Sequence, residues 1–168
     1  QYFKILENSL QKHLHPLLAK KFECVEFSIQ KAWYQQYTNN NGHSWHYHGE
    51  CNMIGVYFLE LPDTKFKTQF RDMIRDKYIE YEAKEGDIVF TNSLTMHQSP
   101  ILKSDKRKTV ISLNYNITKM SQELFEKGYT VFPSLISPET CQKLNENLNS
   151  RFNNNLSYNY LPGHYQIH

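Results

Sequence analysis

HSWHYHGECNMIGVYFLELP, residues 43–62, decides how this chain is read. Its second half, MIGVYFLEL over 53–61, is a β-branched and aromatic run closed by Pro62 and Asp63, which predicts a buried strand. Its first half places His46 and His48 two residues apart in a short aromatic run. On a strand, that spacing sends both imidazoles to one face.

Working outward, the same texture runs from Cys24 to about Asn116. Candidate strands are CVEFSIQKAWYQQY, HSWHYH, MIGVYFLEL, KYIEYEA, DIVFT, MHQSPI and KTVISLNYNI, punctuated by NNNG, LPD, KEGD, TNS and KSDK. Short strands at this spacing predict an antiparallel sandwich or barrel, not a parallel α/β sheet.

Helical patterns flank this region. Phe3, Leu6, Leu10, Leu14, Leu17 and Leu18 recur near a 3.6-residue period, so residues 2–20 read as one amphipathic helix packed on a sheet, bent at Pro16. After Asn116, SQELFEKG reads as a short helix and YTVFPSL as a strand. SPETCQKLNENLNSRF reads as a second helix capped by Ser137, with Pro138 at its first position. The stretch from 153 to 168 has no period and reads as loop. The expected organisation is a mainly β domain over 1–118 and, over 119–168, either a helical extension or the start of a second domain.

A chain of 168 residues supports one core. Nineteen basic against seventeen acidic residues, with no basic run longer than Lys106 to Lys108, argue against nucleic acid or an anionic membrane as the partner. Three scattered cysteines, Cys24, Cys51 and Cys141, make a poor disulfide framework and fit a reducing, cytoplasmic setting. The first 21 residues carry no signal-peptide or spanning pattern; the chain opens on Gln1, which leaves room for sequence upstream.

Downstream, EGDIVFTNSLTMHQSP over 85–100 sets a Gly-Asp turn, an apolar strand, a polar turn and then His97. In a closed sheet His97 can face the His46 and His48 pair. Neutral imidazole suits Fe, Zn, Cu and Ni alike, so the ligands alone do not name the metal. In DKRKTVISLNYN over 105–116, Arg107 and Thr109 alternate onto the strand face of Ile111 and Leu113, which we read as the inward one, and Lys108, Ser112 and Asn114 onto the other. A buried guanidinium calls for an anion, and a carboxylate fits it bidentately. A metal beside a carboxylate anchor points to a keto-acid cosubstrate; the alternative for Arg107 is a solvated basic turn.

Together, residues 41–62, 85–100 and 105–116 resemble the 2-oxoglutarate- and Fe(II)-dependent oxygenases of the prolyl-hydroxylase-like superfamily, notably a small bacterial and phage group with a His-x-His then Gly-Val-Tyr signature. The resemblance covers roughly residues 30–116, and its specificity lies in the order and spacing of three motifs. It implies a double-stranded β-helix (a jelly-roll, cupin-like barrel), Fe(II), 2-oxoglutarate and O2. His46 matches the first ligand, His97 the distal histidine, Arg107 the cosubstrate arginine and Thr109 its hydroxyl helper. Tyr57 is a weaker candidate for the cosubstrate pocket.

The superfamily has a carboxylate where this chain has His48. Either three histidines bind the metal, or Glu50 replaces one of the first pair. Counting back from Asn114 instead of forward from His97 gives Lys108 the anion-binding position. The segment 124–149 is faintly similar to the opening of a phytanoyl-CoA-dioxygenase-like domain, without its metal motif.

The expected activity is hydroxylation of an unidentified peptidyl residue or small metabolite. The competing expectations are a cupin-type metal enzyme, such as a three-histidine dioxygenase or an isomerase, and a barrel that binds metal or ligand without turnover.

Overall fold

The computed structural model describes residues 2–22, 27–117, 129–132, 137–153 and 164–166. Cys24 and the helix expected over 121–128 lie outside them. The N-terminal helix is unbroken but changes pitch: α1 (Tyr2–Ser9) passes through a widened π-turn (Leu10–Leu14) into α2 (His15–Phe22). Pro16 offers no N–H to the turn before it, and the π-turn, closed by the His15 N–H on the Leu10 carbonyl, absorbs the mismatch without a break. Leu6, Leu10, Leu14 and Leu18, four apart, form its buried stripe.

Among the described residues ten strands form two antiparallel sheets. In chain order they are β1 (Phe27–Tyr37), β2 (His43–His46), β3 (Met53–Glu60), β4 (Gln69–Asp72), β5 (Lys77–Ile79), β6 (Ile88–Asn92), β7 (Met96–Ser99), β8 (Lys108–Ile117), β9 (Tyr129–Phe132) and β10 (His164–Gln166). The larger sheet runs β10-β1-β8-β3-β6-β9 and the smaller β2-β7-β4-β5. A mainly β sandwich is therefore the architecture. The helix α3 (Pro138–Asn153) starts as the sequence predicts, with the Ser137 hydroxyl accepting the Thr140 N–H at 3.3 Å.

The large sheet is covered on both faces, which gives two apolar layers. On one face Tyr57, Ile111, Leu113 and Tyr115 pack against the leucine stripe of the N-terminal helix and against Cys141, Leu144 and Leu148 of α3. On the other, Tyr37, Val56, Phe58, Val89 and Val110 meet Phe70 and Ile79 of the small sheet. Both faces of β8 are consequently buried. This corrects the assignment of its inward face: Ile111 and Leu113, with Thr109, look toward the helices, while Lys108, Val110, Ser112 and Asn114 look between the sheets.

Candidate metal centre

His46 and His97 are directly paired across β2 and β7. β2 ends at His46, so His48 is not held by strand alternation; it sits on the following segment, anchored by its N–H on the Ser93 carbonyl at 2.8 Å. The three rings converge, with centroids 4.2 Å apart for His46 and His97, 5.1 Å for His48 and His97 and 5.3 Å for His46 and His48. One ring nitrogen from each lies within 4.8 Å of the others, so the group could hold a metal ion.

The hydrogen bonds behind the rings decide which nitrogens are available. His46 Nδ1 lies 2.8 Å from the Ser44 carbonyl, His97 Nδ1 2.9 Å from the Thr95 carbonyl and His48 Nδ1 2.7 Å from Asn114 Oδ1. Each partner accepts only, so each Nδ1 carries the hydrogen and each Nε2 keeps its lone pair for a metal. Burial, and then the His46 ring, push the His97 pKa down to about 3, which keeps that imidazole neutral and competent to ligate. Three neutral donors fit Fe(II) as well as Zn(II) or Cu(II).

β1 and β8 form the wall opposite. Their register sets Trp33 beside Ser112, Gln35 beside Val110 and Tyr37 beside Lys108, all on the face between the sheets. Trp33 stacks on His48 at 5.5 Å. Gln35 Nε2 donates to His43 Nδ1 at 3.2 Å, and the His43 ring lies 4.1 Å from that of His46. His43 opens β2, at the start of the candidate strand HSWHYH. Its Nδ1 accepts, the reverse of the three convergent histidines.

Lys108 is the group the sequence undervalued. It is fully buried, its Nζ donates to Ser99 Oγ at 2.7 Å, and it lies 5.2 Å from the centre of the Tyr37 ring. Burial alone pushes its pKa down to about 7, with no carboxylate offsetting it. Ser99 follows His97 by two residues on β7 and shares its face, about 6.8 Å along the strand.

Arg107 is committed elsewhere. Its guanidinium binds Glu60 through two nitrogens, at 2.7 and 2.8 Å, and Glu60 also accepts from the Thr109 hydroxyl, which is further bonded by Gln36. That pairing holds the Arg107 pKa above its usual value. The structure does not bring Arg107 or Thr109, expected at the cosubstrate, to the histidines: the anion beside Arg107 is Glu60 from β3, and Thr109 lies on the opposite face of β8. Tyr57 is likewise not brought to the histidines; it is buried on the helix side with its hydroxyl 2.5 Å from Cys141 Sγ. Glu50, the alternative ligand, is exposed and paired with Lys31, which with a smaller contribution from His48 lowers its carboxyl pKa; the three side chains whose ligand atoms converge are the histidines.

Among the described residues no helix is long and apolar enough to cross a membrane. No family model and no curated protein matches the sequence. Among solved structures, the chain is similar to an oxidoreductase of the 2OG-Fe(II) oxygenase family from Burkholderia pseudomallei, at 11% identity and a TM-score of 0.49, over 57% of this chain and 48% of that one. The chain thus spans about half the length of that protein.

Proposed function

We propose that this chain is an Fe(II)- and 2-oxoglutarate-dependent oxygenase with a double-stranded β-helix core, in which His46, His48 and His97 hold the iron and Lys108 holds the far carboxylate of 2-oxoglutarate. The observation that carries the reading is the buried Lys108 ammonium. Its hydrogen-bond partner, Ser99, is a neutral hydroxyl two residues beyond His97 on the same strand face. A buried cation without a counter-anion is unfavourable, and a carboxylate removes that penalty. The separation along β7 suits a five-carbon dicarboxylate whose keto-acid end reaches the metal. The motif order at residues 41–62, 85–100 and 105–116 supports the same assignment.

Three protein ligands on one side leave room for a bidentate keto acid and for O2. The bound iron would supply oxygen activation and C–H oxidation, with hydroxylation the expected outcome on a small-molecule or peptidyl substrate. The chain's own share is positioning. The Ser44 and Thr95 carbonyls and Asn114 fix the imidazole tautomers, Lys108 with Ser99 orients the cosubstrate, and Trp33, stacked on His48, shields that side of the centre from water. We read residues 119–168 as an extension of the same unit, supported by β9 pairing with β6 and by α3 sharing the helix-side core.

The all-histidine donor set favours a second reading, a cupin-type three-histidine dioxygenase without a keto-acid cosubstrate. Turnover separates the two. With Fe(II), O2 and 2-oxoglutarate, the oxygenase releases succinate in a wild-type-dependent manner that is lost in His97→Ala. Absence of succinate from protein that binds iron refutes the 2-oxoglutarate assignment.

A further inference from the structure

On the face between the sheets, β1 carries side chains that lead from solvent to the histidines. Lys31 is the register partner of Asn114, the residue that orients His48, and Trp33, two residues on, stacks on the His48 ring at 5.5 Å. Directly paired residues share a sheet face, so Lys31 stands on the face of Asn114 and Trp33, about 6.8 Å from Trp33 along the strand. Glu50, two residues past His48, pairs with Lys31, and its carboxylate is close enough to the His48 imidazole to interact with it electrostatically. A cation and an anion thus sit side by side at the rim of the histidine centre. Both are exposed, over 48% and 70% of their side-chain surface. An exposed pair contributes little to stability, so a ligand that offers each partner an opposite charge opens it at small cost. A ligand that covers the pair without charges of its own desolvates both groups, which is unfavourable. Between this rim and the metal the wall is the Trp33 ring, a surface suited to packing a hydrocarbon chain.

We propose that the substrate is a free amino acid, with its carboxylate on Lys31, its ammonium on Glu50 and its side chain directed past Trp33 to the metal. The α-carbon of an amino acid carries both charges next to each other, as the rim presents their partners, whereas a residue inside a peptide carries neither. The proposal rests on the oxygenase reading for the presence of a substrate, and adds its class. Oxidation then follows the proposed reaction: one oxygen atom of O2 enters a C–H bond of the amino acid, and the other enters succinate as 2-oxoglutarate loses CO2.

Calorimetric titration of the intact chain loaded with Co(II) and 2-oxoglutarate, which does not turn over, tests the proposal. The standard amino acids are titrated as free L-forms, and those that bind are titrated again as the N-acetyl acid, which lacks the ammonium, and as the amide, which lacks the carboxylate. The expected result is binding of at least one free amino acid, weakened about 5- to 20-fold by either block. Lys31→Met then binds the free acid and its amide alike and still prefers the free acid to its N-acetyl form. Glu50→Gln shows the reverse, discriminating against the amide but not the N-acetyl form. Loss of a merely structural surface tie does not exchange selectivities in this way. With Fe(II) and O2 in place of Co(II), mass spectrometry is expected to find the bound amino acid carrying one added oxygen. The proposal is overturned if no free amino acid binds, if blocked forms bind within about twofold of the free ones, or if both variants keep the wild-type selectivities. A chain that binds Co(II) and 2-oxoglutarate but no amino acid refutes the substrate class and leaves the oxygenase reading intact. A chain that takes up neither Co(II) nor 2-oxoglutarate removes the oxygenase reading, and the substrate class with it.

Discussion

Replacing Lys108 by Met separates the two consequences of burying an ammonium group. Lys108 is fully buried and its pKa falls from 10.5 to about 7 through desolvation. At about 1.4 kcal/mol per pH unit, its charged form is on the order of 5 kcal/mol less favourable in the folded chain than in water. Its folded pKa lies below its unfolded one, so between about pH 7 and 10.5 the unfolded chain holds a proton that the folded chain lacks, and stability rises with pH across that window. Below pH 7 the full penalty applies. Methionine removes the penalty together with the Ser99 hydrogen bond and the Tyr37 contact, worth about 1 to 2 kcal/mol together. Without ligand, Lys108→Met is therefore expected to be more stable than wild type by about 2 to 4 kcal/mol at pH 6, and the advantage vanishes toward pH 10. Urea unfolding monitored by tryptophan fluorescence at the two pH values reads this directly. The same variant weakens 2-oxoglutarate binding to the metal-loaded protein by about 100-fold, as expected when one partner of a buried charged pair is removed. A variant equally destabilised at both pH values, or one that binds 2-oxoglutarate normally, refutes the reasoning.

Asn114→Ala removes the acceptor for His48 Nδ1–H and is expected to weaken metal affinity about 10- to 100-fold, read by metal titration. Arg107→Ala is expected to lower stability by about 1 to 2 kcal/mol through loss of the Glu60 pair while 2-oxoglutarate affinity stays within about twofold, so denaturation and binding measured side by side check the corrected anchor. Glu50→Gln is expected to leave metal affinity within about twofold, because its exposed carboxylate is paired with Lys31, and metal titration checks this. Gly55→Ala places a methyl 2.7 Å from the Phe90 ring in the helix-side core, and thermal melting is expected to report a loss of about 1 to 3 kcal/mol.

His46 and His97 were legible because two short runs of strand texture, His43–His46 and Met96–Ser99, each carry an imidazole and pair with each other, whereas His48 reaches them from the segment after β2. What misled was the facing of β8. Alternation separates Thr109, Ile111 and Leu113 from Lys108, Val110 and Ser112, yet a strand buried on both sides gives no sign of which set meets the helices. Ile111 and Leu113 mark the more apolar side, and that side meets the helices and not the histidines. Counting back from Asn114, whose side chain reaches His48, finds Lys108. The Glu60 partner of Arg107 lies 47 residues away, and the Gln35 partner of His43 is on another strand, so neither pairing is visible locally. The bend at Pro16 became a π-turn because the leucine stripe continues on both sides of it and keeps the helix on the sheet.

The central claim, that these three histidines and Lys108 form one site for iron and 2-oxoglutarate, is tested most directly by anaerobic visible absorption of the Fe(II)-loaded chain titrated with 2-oxoglutarate. The account predicts a weak metal-to-ligand charge-transfer band that saturates at one equivalent per chain. The band should be absent in His97→Ala and should need much more 2-oxoglutarate in Lys108→Met. Iron-loaded wild-type protein that develops no band at any 2-oxoglutarate concentration would contradict it.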